Sequence, residues 1–301
     1  MLTPAYSFVD DDWAELGDSP VKERPEHGTH LPTAAKTEAA FVFRDERDVV
    51  HKYPFSGTGD IAYVTQYLNY LSVDEPAAIP LTTTKGMLVS QVLCCLIALA
   101  RTRKKIRILE IGSTVGENYL YIKKLLTQYQ IPLSVDFVGL ESSPGLCHLA
   151  KVVHQGDSGF VPVTSDGGSL SRFPDRSFDL VICQGVANFT DAPMQTFRDI
   201  ARITRFAFVL ALVVTDDEEG FFAVEGGANT RHYIPARRSL YEAWDSYFPL
   251  HDYCFEQTLV SAAACTERGT DFYLGQDPRL ERAFFESHTV ARVRFLEEMF
   301  E

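Results

Sequence analysis

The chain of 301 residues is short of positive charge: 28 Lys and Arg stand against 41 Asp and Glu, a net charge of −13. Nucleic acids are gripped through their phosphates by clustered cations, so this balance argues against a large nucleic-acid interface. The one dense basic run, Arg101-Thr-Arg-Lys-Lys-Ile-Arg107, falls where a helix should end, and cations are favoured at that pole of a helix. No Cys-x-x-Cys spacing occurs among the six cysteines (94, 95, 147, 183, 254 and 265). That argues against a zinc site and for free thiols in a reducing cytoplasm. The longest apolar run, Val92 to Ala100, is too short to cross a bilayer and reads as buried helix, so no membrane partner is expected. No basic-then-apolar leader opens the chain, because Asp10, Asp11 and Asp12 interrupt it. A Gly-x-Gly-x-x-Gly turn is also absent, which removes the usual signature of a nicotinamide oxidoreductase.

What the chain does carry is Ile106-Arg-Ile-Leu-Glu-Ile-Gly-Ser-Thr-Val-Gly-Glu-Asn118. Ile106, Ile108, Leu109 and Ile111 make a short apolar strand with Glu110 near its end. Tyr119, Ile122, Leu125 and Leu126 follow at helical spacing. Between them, Gly112 lets backbone approach a ligand closely and Gly116 lets the new helix pack against a sheet. The free N–H groups of that helix start suit an electronegative ligand group, and Glu110 suits a cationic or hydroxyl-bearing one. A purely structural strand–turn–helix would read the same in isolation.

The following residues alternate in the same manner. Strands are expected at 106–111, 135–140, 160–164, 178–183 and 206–214, and helices at 86–101, 116–129, 144–154 and 193–203. Phe178–Cys183 and Phe206–Val214 are continuous apolar runs, as strands buried on both faces require. Glu110, Glu141, Asp166 and Gln184 all fall at strand carboxyl ends, where open α/β sheets bind ligands. Each alone could be a surface residue or a helix cap; together they indicate one site.

These motifs resemble class I S-adenosylmethionine-dependent methyltransferases over about residues 85–215. The first strand of that family ends in Asp/Glu-x-Gly-x-x-x-Gly, here Glu110, Gly112 and Gly116. Its second ends in an acid for the ribose hydroxyls, here Glu141 in Val135-Asp-Phe-Val-Gly-Leu-Glu141. An acid for the adenine amino group follows the third, here Asp166. Leu170-Ser-Arg-Phe-Pro-Asp-Arg-Ser-Phe-Asp-Leu-Val-Ile-Cys183 is similar to the family's fourth strand and its lead-in. The resemblance implies S-adenosyl-L-methionine held by Glu110, Gly112, Ser113, Thr114, Gly116, Asn118, Glu141, Ser142, Asp166, Gly167, Gln184 and Gly185. Two departures stand out. Ser113, Thr114 and Val115 fill a turn that often has another glycine, and Arg202-Ile-Thr-Arg-Phe replaces the usual Lys-Pro-Gly-Gly.

The implied fold is an α/β, Rossmann-like seven-stranded sheet, mostly parallel with an antiparallel last strand and helices on both faces. Residues 1–40 are expected to form a loosely ordered arm carrying Trp13. Residues 41–85 should form a helical lid, capped by Asp60, with Tyr53, Tyr63, Tyr67 and Tyr70 as pocket or packing residues. The core should run over 86–277, with an insert at about 216–250, strand six at 253–259 and strand seven at 271–274. An amphipathic C-terminal helix over 278–301 would pack on the core or on a second copy in a homodimer.

The expected activity is methyl transfer to a small-molecule acceptor through oxygen, nitrogen or carbon. His232, Tyr233 and His251 are the candidate bases, and Asn188 the candidate for orienting the acceptor. Asn-Pro-Pro-Tyr is absent after strand four, which weakens amino-purine or glutamine methylation. The acids Asp216 to Glu219 read as a solvated loop rather than a metal site. The competing reading is a repurposed cofactor-binding protein that serves as a partner-binding subunit.

Overall fold

The computed structural model describes residues 7–9, 40–44, 50–54, 83–165, 170–190, 192–224, 231–248, 260–261, 279 and 282–292. Three short strands come first: β1 (Ser7–Val9), β2 (Ala40–Arg44) and β3 (Val50–Pro54), antiparallel in the order β1-β2-β3. The stretch expected as a helical lid therefore begins as strands. Ala40-Phe-Val-Phe and Val50 are β-forming in composition, and pairing of β2 with β3 satisfies their backbone. The helix expected from Asp60, Tyr63, Tyr67 and Tyr70 with it, and most of the N-terminal arm lie outside the described residues.

The remaining elements alternate. Helix α1 (Thr83–Thr102) leads into β4 (Lys105–Ile111), α2 (Glu117–Gln128), β5 (Ser134–Glu141), α3 (Pro144–Val153) and β6 (Phe160–Thr164). Then come β7 (Phe178–Gln184), α4 (Pro193–Ile203) and β8 (Thr204–Thr215). A hairpin of β9 (Phe221–Val224) and β10 (Arg231–Ile234) precedes α5 (Arg237–Asp245), and β11 (Val260–Ser261) and β12 (Ala283–Ala291) close the series.

Seven of these strands form one sheet in the order β11-β12-β8-β7-β4-β5-β6. β4 to β8 run parallel, whereas β12 is antiparallel to both its neighbours. From β4 the chain builds outward to β6, then returns to the other side of β4 as β7. That reversal opens a crevice at the carboxyl ends of β4 and β7, the place such sheets hold ligands.

Alternate side chains of each strand feed two cores. On one side Ile108, Leu180 and Val209 meet Val92, Leu96 and Leu99 of α1. On the other, Leu109, Val181 and Leu210 meet Phe197 and Ile200 of α4 and Leu240 and Trp244 of α5.

The C-terminal helix expected over 278–301 is corrected by the structure: Ala283–Ala291 is a strand, registered from Ala283 opposite Thr215 to Ala291 opposite Ala207. Its apolar residues Phe284 and Val290 flank buried Glu286 and His288 on one face. Those two polar residues hid the strand period. Their burial is possible because Arg237 of α5 binds the Glu286 carboxylate, and His288 Nε2 lies 2.8 Å from its Oε2. The expected strand seven at 271–274 lies outside the described residues, as does 253–259; the antiparallel place beside β8 belongs to β12.

Candidate active site

The glycine loop begins where β4 ends. Gly112 and Ser113 both donate their N–H to the Leu140 carbonyl, at 2.8 and 2.9 Å, and Gly116 N–H donates to Ser113 O at 2.8 Å. Gly112 (φ 77°), Thr114 (φ 49°) and Gly116 (φ 85°) all take left-handed conformations. At Gly112 a side chain is also excluded by Val186, whose Cγ2 would lie 2.2 Å from an added Cβ. At Gly116 an added Cβ would meet His154 Nε2 at 2.6 Å and Phe160 Cζ at 2.8 Å. Thr114 has a branched side chain and carries real strain there, on the order of 1–2 kcal/mol. Its N–H donates to Glu141 Oε2 at 3.0 Å, which holds the strained peptide in place.

Glu141, at the end of β5, is 7% exposed. Its second oxygen accepts from Ser143 N–H at 2.7 Å, with Ser142 Oγ at 3.4 Å. Ser143 in turn caps α3, its Oγ accepting from Leu146 N–H at 3.3 Å with Pro144 opening the helix. A carboxylate has about four lone-pair directions, so Glu141 can accept from several donors at once. Glu110 is 2% exposed, and its Oε1 accepts from the Asn118 amide in the first turn of α2.

The site fits a ligand that carries donors and positive charge. Asn118 Oδ1 and Ser113 Oγ are buried and have no hydrogen-bond partner among the described residues. Leaving such atoms unmet costs about 1–3 kcal/mol each, a cost that an ammonium or hydroxyl group would remove. Two buried carboxylates at the ends of the adjacent strands β4 and β5 favour a cation over an anion.

Across the crevice, β7 ends at Gln184, and Gly185 (φ 69°) donates to Ala211 O at 2.6 Å. A short turn, Ala187–Phe189, follows. Asn188 is buried; its amide donates to Tyr233 O at 2.6 Å and lies 3.4 Å from Val213 O, so it ties the β9–β10 hairpin to β8. His232 is buried, with its ring 4.0 Å from that of Phe189, and burial pushes its pKa down to about 4. Phe189 itself is 40% exposed.

Tyr233 points the other way. In the hairpin it pairs with Phe222 while His232 pairs with Ala223, so the two candidate bases occupy opposite faces. The Tyr233 hydroxyl lies over Gly220, and burial together with the Glu219 charge raises its pKa. The Cys183 thiol, pushed up to about 12 by burial, is not a nucleophile. Asp166, Gly167 and His251 lie outside the described residues. Two acids of the 216–219 run are engaged with arginines: Asp216 with Arg237, and Asp217 with Arg282 at 2.6 Å.

Sequence reasoning missed His154, Val186 and Ser143. Ser143 had a readable signal, a serine just before proline at a helix start. A lone histidine after a helix and a valine after Gln184-Gly185 had none.

Residues 109–207 match the methyltransferase domain family. No curated protein matches the chain. Among solved structures, a putative sarcosine dimethylglycine methyltransferase from Galdieria sulphuraria aligns with a TM-score of 0.50 at 10% identity, over 78% of this chain and 98% of its own. The N-terminal domain of EvdMO1, in the presence of SAH and D-fucose, aligns with a TM-score of 0.48 at 14% identity over 78% and 99%. The 4+2 cyclase SpnF aligns with a TM-score of 0.45 at 15% identity over 67% and 80%. The first of these likenesses bears on the fold.

Proposed function

We propose that this chain is a class I S-adenosylmethionine-dependent methyltransferase with a small-molecule acceptor, a reading supported by the match of residues 109–207 to the methyltransferase domain family. S-adenosyl-L-methionine, when bound, supplies an electrophilic methyl group on a sulfonium. In this reading Glu141 accepts from the ribose hydroxyls, while Glu110 and Asn118 Oδ1 accept from the ammonium. The loop of Gly112, Ser113, Thr114 and Gly116 lies along the amino-acid portion. Ser142, Asp166, Gly167, Gln184 and Gly185 complete the binding set.

The observation that carries the acceptor class is the half-exposed Phe189, packed on the neutral His232 beside the crevice end of β7. An aromatic platform suits a compact acceptor with an apolar body, and the net charge of −13 disfavours a polyanion. His232, with a pKa near 4, is a weak base, so its proposed role is to orient the acceptor rather than to deprotonate an alcohol. Asn188 acts through the hairpin it holds. Tyr233 and His251 remain candidates for contact with the acceptor. The chain's own part in the reaction is then to align the acceptor and exclude water. No described helix is long and apolar enough to cross a membrane. A cytoplasmic location belongs to the same reading and is supported by Cys147 and Cys183, which are free thiols. A homodimer would have to form elsewhere than through 283–291, which is used within the sheet.

The test has two steps. Calorimetric titration with S-adenosylhomocysteine should show binding to the wild type and loss of it in Glu141→Ala and Asp166→Ala. Labelled methyl donor and a fractionated cell extract should then place label in the small-molecule fraction. Label in protein or nucleic acid would refute the acceptor class, and binding without transfer into any fraction would favour the repurposed, partner-binding reading.

A further inference from the structure

Behind the cofactor loop lies a residue that no sequence motif marks. His154 caps the carboxyl end of α3, and its Nε2 lies 3.0 Å from the Val115 carbonyl in the loop. A carbonyl can only accept, so Nε2 must carry the hydrogen. The ring is seated between Tyr119 of α2, edge-on at 5.4 Å, and Phe160 of β6 at 4.5 Å. Tyr119 is fixed in turn by Asp157, which is paired with Lys123 at 2.6 Å. Gly116 makes room for this ring, since an added Cβ would lie 2.6 Å from Nε2.

The Val115–Gly116 peptide is planar, so its C=O and the Gly116 N–H point in opposite directions. Glycine at 116 would allow this peptide to turn over at little cost. What opposes that is a pair of bonds, Val115 O to His154 and Gly116 N–H to Ser113 O. The first intrahelical bond of α2 is Leu120 N–H to Gly116 O, so the preceding N–H groups keep the direction the peptide gives them. Resting on the cofactor-site reading above, we propose that His154 is a positioning residue: by donating Nε2–H to the Val115 carbonyl it fixes the glycine loop in its ligand-receiving form. Burial lowers the pKa of His154, so at neutral pH the ring has a single proton, and this bond selects its tautomer.

The experiment compares wild type, His154→Phe and His154→Gln. Phenylalanine keeps the ring against Tyr119 and Phe160 but donates nothing, whereas glutamine restores a donor at similar reach and loses the ring. Thermal stability should therefore fall more in His154→Gln. Affinity for S-adenosylhomocysteine should fall more in His154→Phe, by roughly tenfold, the scale of one lost hydrogen bond, with glutamine within about twofold of wild type. Affinities that follow the order of stabilities would overturn the proposal. In the wild type, long-range proton–nitrogen spectra should show His154 as the Nε2–H tautomer at neutral pH. The Nδ1–H form would overturn the proposal even if His154→Phe failed to fold. Absence of binding to the wild type would instead remove the cofactor-site reading on which it rests.

Discussion

Gly116→Ala separates two contributions that are usually confounded, because the structure contains a control for each. Gly116 has φ 85° and a crowded Cβ position, with His154 Nε2 at 2.6 Å and Phe160 Cζ at 2.8 Å. Gly156 has almost the same backbone, φ 84°, with no atom within 4 Å of its Cβ position. Gly139 has no positive φ, yet its Cβ would meet Ser113 Oγ at 2.5 Å and Ser113 Cβ at 2.8 Å. A left-handed alanine costs about 1–2 kcal/mol, partly offset by about 0.4–1 kcal/mol through the restricted unfolded chain. Overpacking a filled space costs about 1–3 kcal/mol. Gly156→Ala should then lose at most about 1.6 kcal/mol, Gly139→Ala about 0–3, and Gly116→Ala about 1–5. Urea unfolding at constant m-value reads all three. Gly116→Ala should also weaken S-adenosylhomocysteine, because His154 cannot keep both its seat and its bond to Val115. Equal losses in Gly116→Ala and Gly156→Ala would refute the claim that the loop is packed against α3 and β6.

Two further predictions concern buried charge. His232 has a folded pKa near 4 against about 6.5 when unfolded, so its contribution is intact above pH 6.5 and declines as the pH falls toward 4. That amounts to about 2 kcal/mol between pH 7.5 and 5, and urea unfolding of His232→Phe should show a pH dependence shallower by this amount; an unchanged slope would contradict the burial argument. Arg237→Met strips the guanidinium from Glu286, whose side chain is 0% exposed, and should cost about 3–5 kcal/mol. Arg237→Met with Glu286→Leu should recover a large part of that loss, and a double variant no more stable than the single would show that the ion pair is not what sustains the strand.

The parts of the fold legible in the sequence were those whose burial pattern is local. Phe178–Cys183 and Phe206–Val214 announce strands covered on both faces, and the observed strands extend them only to Gln184 and to Thr204–Thr215. Ser134–Glu141 was readable to within a residue because its apolar residues lead directly to an acid. β12 was illegible for the opposite reason. Glu286 and His288 look like surface residues until Arg237, far away in sequence, is brought to them by α5. At the site, the carboxylates Glu110 and Glu141 were readable as strand-end acids, but their immediate partners were not. Thr114 N–H on Glu141, and Val186 in the space above Gly112, arise only when β4, β5 and β7 lie side by side.

Those partners change what the glycine loop is. Read from sequence, Gly112 is an opening for a ligand and Gly116 a packing position for the helix; in the fold both spaces are filled by protein, that at Gly112 by Val186 and that at Gly116 by His154 and Phe160. Leu140 O, Glu141, Gly139, Val186 and His154 each contact a different part of residues 112–116, and each comes from an element that would be present without any ligand. The strained Thr114 conformation persists because these contacts over-determine it. A loop fixed in this way adds little ordering cost when it binds, so affinity for the donor depends on the surrounding scaffold as much as on the residues that touch it. On the proposed reading the acceptor side is built differently, around the half-exposed Phe189 and a hairpin tied down through Asn188. Substitutions at Phe189 should therefore alter which acceptor is taken while sparing donor binding, and substitutions at His154 the reverse.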